Sequence, residues 1–385
     1  MSSLNRKALF KTDAPPCCLR INPLHPHIVY FGTYTLVEGI DRKGSIEIWE
    51  ISPSGKESNG DFPDSGEVNV ENLPLKATKL RVIETHGAVL DIKIDTKSVN
   101  SSDDSMLITT SHSTGNITFW KLKKDDPTNL SEVSDLQLFP EPTSSSDETL
   151  ITSVNFHPRS NKLCFTTTTG YVGYYDYDKI PSVDDGLFVF DTQHSLEAWY
   201  ADWAHDPQLD DIIFSGGDDA QLIAHDVREP LPIFTTSRIH DAGIVSILTT
   251  RKGWCEDVTD PYMIWTGGYD DQLCVLDLRA GENISGGTLF NGMPPIAKEK
   301  HNLNGGVWRL IPSPHDDDYR VLTCNMYDGG RIVSYDPSNA QNVEVVGTYK
   351  GEHSSITYGG DWVGDVIVSC SFYDNVVQVW DGSKA

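Results

Sequence analysis

Along this chain apolar residues alternate with polar ones over short runs, as in DIIFSGG, YMIWTGG and NVVQVWD, and clusters of Gly, Asp, Asn and Ser separate the runs. That period of two predicts strands of a half-buried sheet, and the spacing of an amphipathic helix is nearly absent. The runs fall into self-similar blocks about 45 to 60 residues long. One block runs from His194 through FSGGDDAQLIAHDVR, a second from His240 through WTGGYDDQLCVLDLR and a third from His353 through VSCSFYDNVVQVWDG. In each, a turn Asp (Asp219, Asp270, Asp374) stands six residues before a slot filled by His225, Leu276 and Trp380 in turn.

This register resembles the WD-repeat family. Its blades carry a His before the innermost strand, an Asp in a tight turn and a Trp-Asp at the end of the third strand. Weaker copies end at Trp49, Trp120, Tyr175-Asp176 and Tyr335-Asp336, which makes seven blocks. The resemblance implies an all-β, seven-bladed β-propeller occupying residues 1–385 as a single unit. His, Asp and a Ser or Thr can share a buried hydrogen-bond network while the Trp packs between blades, and only the last block (His353, Ser369, Asp374, Trp380) has all four. That block reads as three strands, near 356–361, 366–370 and 376–380. Residues 4–10, LNRKALF, precede the first innermost strand near Cys18–Ile21 and supply a candidate outer strand that closes the ring and removes an open edge. A loose N-terminal tail is the alternative use of 4–10. Residues 52–77, 96–105 and 124–148 read as loop insertions.

Charge narrows the partners. Thirty basic against 56 acidic residues give 30 − 56 = −26, a field that repels phosphate backbones and anionic headgroups and steers cations inward. Neither direct nucleic-acid binding nor membrane association is expected. The seven cysteines have no paired CxxC spacing, no signal-peptide run opens the chain, and a cytoplasmic location is expected. Sequon-like triplets at Asn116 and Asn283 then carry no meaning for glycosylation. No P-loop, dinucleotide fingerprint, HExxH or GxSxG occurs, so no cofactor or metal is expected, and chelators should leave any activity intact.

His86, His194, His240, His301 and His353 occupy the structural His slots of the repeats, and the pairs Asp218-Asp219 and Asp270-Asp271 fit tight turns. A more specific pattern lies on innermost strands. Aligning AWYADW (198–203) with TYGGDW (357–362) sets Trp199 opposite Tyr358 and Asp202 opposite Asp361, and GVWRLI (306–311) sets Trp308 in the same aromatic slot. With Glu197 and Arg309 alongside, these side chains can converge at one mouth of the axial channel. Aromatic faces beside a carboxylate suit a quaternary ammonium group. The alternative is that the rings only fill gaps between blades.

The strings EAW (197–199), SGGDD (215–219), SRIH (237–240), GGVWR (305–309), YGGDW (358–362) and SCSFYD (369–374) resemble the diphthine methyl ester hydrolases, WD-repeat proteins of the diphthamide pathway. The N-terminal half matches mainly as LRINPLHPHIVYFGTY (19–34). The likeness implies hydrolysis of a methyl ester on the modified histidine of translation elongation factor 2. Methanol is released, and the carboxylate exposed is later amidated. The trimethylammonium of that substrate matches the aromatic slot, which makes Glu197, Trp199, Trp308, Tyr358 and Asp361 candidates for substrate binding. The resemblance carries no catalytic assignment. Candidates are His240 or His353 as base, Cys370 or Ser371 as nucleophile and Arg309 as oxyanion partner.

A second class stays open. HDVR (225–228) and LDLR (276–279) end successive blocks in a D-x-R pattern similar to that of WD-repeat substrate adaptors of a cullin ubiquitin ligase, with Arg228 and Arg279 as the contacts. A non-catalytic platform uses the same fold, and a blade-edge salt bridge is the plainer role for both arginines.

Overall fold

The computed structural model describes residues 2–3, 5–37, 41–54, 75–141, 148–251, 254, 262–279, 294–315, 318–336 and 339–383. Seven antiparallel sheets follow one another along the chain, each with its first strand innermost. The innermost strands are Pro16–Ile21, Val89–Ile94, Ile151–Phe156, Ala198–Trp203, Ile244–Thr249, Val307–Pro312 and Thr357–Val363, for blades one to seven. Each neighbours the next, and Thr357–Val363 returns to Pro16–Ile21, so the ring is closed. The fold is the seven-bladed propeller that the repeats predict. Seven hydrophobic clusters hold it, one between each pair of neighbouring blades, such as Tyr30, Ile46 and Ile48 against Ile92, Met106 and Trp120. Every cluster joins two neighbouring blades, so no single blade has a core of its own.

Closure comes from the N-terminus. Arg6–Lys11 pairs antiparallel with Val376–Asp381 as the outer strand of blade seven, close to the expected 4–10. Ser2–Ser3 adds a short parallel pairing to blade six.

Two of the expected insertions carry structure. Residues 96–105 hold a helical turn, Thr96–Val99, capped by the Asp95 carboxylate. Leu130–Gln137, within 124–148, is the outer strand of blade two. Its sequence LSEVSDLQ hides the pairing because only Leu130 and Leu136 are buried. Of 52–77, residues 55–74 lie outside the described residues, as do Cys255 and Asn283.

Innermost strands present an open edge to the channel, and side chains satisfy it. Asp361 Oδ2 accepts from Ile21 N at 2.9 Å across the closure, Asp91 Oδ2 from Val154 N at 3.3 Å and Ser153 Oγ from Ala201 N at 3.2 Å. Thr249 and Ser246 donate to the Trp203 and Val307 carbonyls. Each staple joins two blades and answers a backbone group that would otherwise be unpaired.

The buried histidine networks sit under the turns. In blade seven His353 Nε2 and Nδ1 contact Ser369 Oγ and Ser371 Oγ, each at 2.7 Å, Ser371 donates to Asp374 and Trp380 Nε1 donates to Ser369. Blade four uses His194, Asp219 and Ser215, and His225, in the Trp slot, contacts the same Ser215 at 3.2 Å. Blade five uses His240, Asp270 and Thr266, and Leu276 in the slot adds no donor. Two assigned slots differ. His86 lies exposed beside Glu141, and His112 instead forms the blade-two network with Thr110, Thr118 and Trp120. There the carboxylate, Asp135, comes from the outer strand and not from the turn, which shifts the histidine along the sequence. His301 Nε2 is buried without a partner, so blade six has no such network through it.

Burial pushes the imidazoles of His112 and His353 down to about 4 and that of His225 to about 3. An unfolded histidine titrates near 6.5. Between that value and about 4 the unfolded chain takes up protons that the folded one refuses. Stability is therefore full above pH 6.5 and falls as pH drops through the folded values, by on the order of 3 kcal/mol per ring. The urea midpoint is expected to fall steeply between about pH 7 and about pH 4.5. An unmoved midpoint contradicts this account.

Candidate active site at the channel mouth

The innermost strand of every blade carries a one-residue irregularity at the same place. The skipped residues are Cys17, Leu90, Thr152, Trp199, Val245, Trp308 and Tyr358. A bulge leaves its residue out of the ladder and re-aims the side chain. Seven side chains are thus set round one end of the channel, the end where innermost strands begin. The aromatic slot read from the sequence is this bulge position in blades four, six and seven.

The rings form a continuous arc. Trp199 and Trp308 lie 5.7 Å apart between ring centroids, Trp308 and Tyr358 5.0 Å, and Tyr358 and Phe372 5.3 Å. Tyr269, from the turn of blade five, closes the gap with centroids 6.3 Å from Trp199 and 6.0 Å from Trp308. Trp199 Nε1 donates to Asp218 Oδ1 at 3.3 Å. Burial raises the Tyr269 phenol well above its usual range, and the carboxylates of Asp218 and Glu197 push the same way. Trp308 is only 8% exposed, and its Nε1 is buried with no hydrogen-bond partner.

Arg309 follows Trp308 at the floor of the arc. Its guanidinium lies 5.1 Å from the Trp308 ring and 6.0 Å from that of Tyr200, and its NH1 donates to the Trp308 carbonyl. No carboxylate lies within ion-pair distance of it among the described residues. A largely buried guanidinium with one carbonyl partner keeps donors for an anion.

The remaining expected residues lie elsewhere. Asp361 faces the channel below Tyr358, but its oxygens accept from Ile21 N and Trp362 N. Burial raises its carboxyl, against the pull of Arg20. His240 and His353 have both ring nitrogens engaged in their blade networks. Ser371 is fully buried between His353 and Asp374. Cys370 is fully buried behind the channel wall, where burial holds its thiol protonated. The structure brings Trp199, Trp308, Tyr358 and Arg309 together, with Glu197 just before the strand that carries Trp199, and leaves Asp361, His240, His353, Cys370 and Ser371 outside. Arg228 and Arg279 each fork onto the Asp two residues earlier, at Asp226 and Asp277.

Sequence reasoning missed Tyr269, Cys17 and the charged layer below them. Tyr269 had a signal: it precedes the turn Asp270 as Asp218 precedes Asp219 and Tyr373 precedes Asp374.

Compared with known proteins, the chain matches no family model. It is 32% identical to a Saccharomyces cerevisiae protein named diphthine methyltransferase, over 96% of each chain. The chain belongs to the diphthine methyltransferase family. A Schizosaccharomyces pombe member of the same name is 29% identical over 78% of this chain and 81% of its own. The Homo sapiens member is 29% identical over 44% of this chain and 32% of its own. Among solved structures, a chain of the mitotic checkpoint complex superposes with a TM-score of 0.62 at 13% identity, covering 98% of this chain and 92% of that one. That likeness shows the propeller fold alone. No helix among the described residues is long and apolar enough to cross a membrane, and no three metal-ligating side chains converge among them.

Proposed function

We propose that this protein is a carboxylic ester hydrolase that removes the methyl ester from methylated diphthine on translation elongation factor 2 and releases methanol. The observation that carries the reading is the mouth itself: an aromatic arc with the Asp218 carboxylate hydrogen-bonded to it and an unpaired guanidinium at its floor. The arc and the carboxylate suit a trimethylammonium, and the guanidinium suits the oxyanion that forms when water attacks an ester carbonyl. Family members carry diphthine in their name, which supports the substrate.

That name speaks of methyl transfer, and the charge at the site favours the opposite direction. Methylating a carboxylate removes negative charge in the transition state, so a nearby guanidinium stabilises the reactant and slows the step. Hydrolysis builds negative charge on the carbonyl oxygen, which the same guanidinium favours. Arg309→Ala should lower kcat for methanol release by about 100-fold with KM little changed. Unaltered turnover in a folded Arg309→Ala protein would remove Arg309 from the chemistry.

A second reading is a non-catalytic platform or cullin-ligase substrate adaptor. It is favoured by Arg228, which stays largely exposed even while paired with Asp226.

A further inference from the structure

Three residues beyond the bulge, the innermost strands of blades one, two, four and seven place a ring of charged side chains deeper in the channel: Arg20, Lys93, Asp202 and Asp361. Lys93 is the amine of this ring, and it is only 8% exposed. Its Nζ lies 3.3 Å from Asp91 Oδ2 and 5.5 Å from the Tyr200 ring centroid. Arg309 approaches the same ring at 6.0 Å. Tyr200 thus links the guanidinium at the floor of the mouth to a single amine below it. The histidines, the cysteine and the serine considered as base or nucleophile are committed to blade interiors.

Resting on the hydrolase reading, we infer that Lys93 is the general base that activates the attacking water, with Asp91 orienting its amine. Neutral Lys93 takes one proton from water as the water oxygen bonds to the ester carbonyl carbon. The carbonyl pair moves onto oxygen, facing Arg309. On collapse the bond from carbon to methoxy oxygen breaks, and the leaving methoxide takes the proton back from the Lys93 ammonium as methanol. The new carboxylic acid then loses its own proton to solvent, and Lys93 is neutral again.

The surroundings make an amine of this kind usable near neutral pH. Burial, with Arg20 and Arg309 adding to it, brings Lys93 down to about 8 against the pull of Asp91 and Asp202. The other groups facing it are the Tyr200 phenol and Asp361, whose carboxyl also feels the Lys93 charge. A base is most effective when its pKa lies near the working pH.

The test is single-turnover methanol release from methyl-esterified elongation factor 2 between about pH 6 and about pH 10, for the parent, Lys93→Met and Lys93→Arg. The parent rate should rise with pH and level off near 8. Both variants should lose about 100-fold or more and also lose that inflection, because neither side chain can accept the proton. A merely structural role would lower the rate without erasing the inflection. Retention of rate and inflection by either variant overturns the inference and leaves the hydrolase reading standing, whereas a parent that releases no methanol overturns both. Should the variants fail to fold, pH-dependent acylation of Lys93 in the parent, followed by peptide mass, decides. A reactivity midpoint near 8, with protection by substrate, supports the base, and a midpoint of an ordinary lysine overturns it.

Discussion

Removal of residues 1–12 is expected to lower the melting temperature by roughly 5 to 10 °C and to make the protein prone to association. The segment supplies the outer strand of blade seven, with Ala8, Leu9, Phe10 and Lys11 opposite Val379, Gln378, Val377 and Val376. It also ties blade seven to blade one, because Phe10 packs on Trp49 at 4.7 Å and on Phe31 at 6.1 Å between centroids. Arg6 pairs with Glu352, and Lys7 with Asp381. Losing several ladder hydrogen bonds and one large half-buried ring costs about 5 to 8 kcal/mol. The truncation also exposes the edge of Val376–Asp381, a template for pairing with another chain. A truncated protein that melts within a degree or two of the parent would show that the ring does not depend on its closing strand.

Trp308→Ala should raise KM about tenfold with kcat little changed, and it should also lower stability by about 3 kcal/mol. Both effects follow from one position. The ring lies against Trp199, Tyr269 and Tyr358, so its loss opens a cavity at the meeting of three other blades. The same ring forms the centre of the aromatic arc, so its loss also removes a face from the proposed cation site. Kinetics at low temperature, on the fraction still folded, separate the contributions. A normal KM there would mean that Trp308 only packs, and the cation-binding role of the mouth would fall with it.

The propeller was legible because its determinants are local: a turn Asp, a slot six residues later and a run of alternating residues between them. The mouth was legible in part. Trp199, Trp308 and Tyr358 share a register that alignment reveals, but the reason they converge is the recurring bulge, and nothing in a strand sequence marks a bulge. Lys93 and Arg20 occupy the slot of Asp202 and Asp361, yet they fall in blades whose repeats match poorly, so alignment did not reach them. His86 was misplaced for a different reason. Blade two draws its carboxylate from Asp135 on a strand that itself looked like loop, and the histidine that meets it is His112.

The central claim is tested most directly by intact mass of methyl-esterified elongation factor 2 after incubation with the purified protein. Loss of one methylene's worth of mass, absent when Arg309→Ala is used over the same time, is the expected result. A gain of the same mass on unmethylated substrate would mean methyl transfer, and no change with a folded protein would leave a binding platform. Either would contradict the hydrolase.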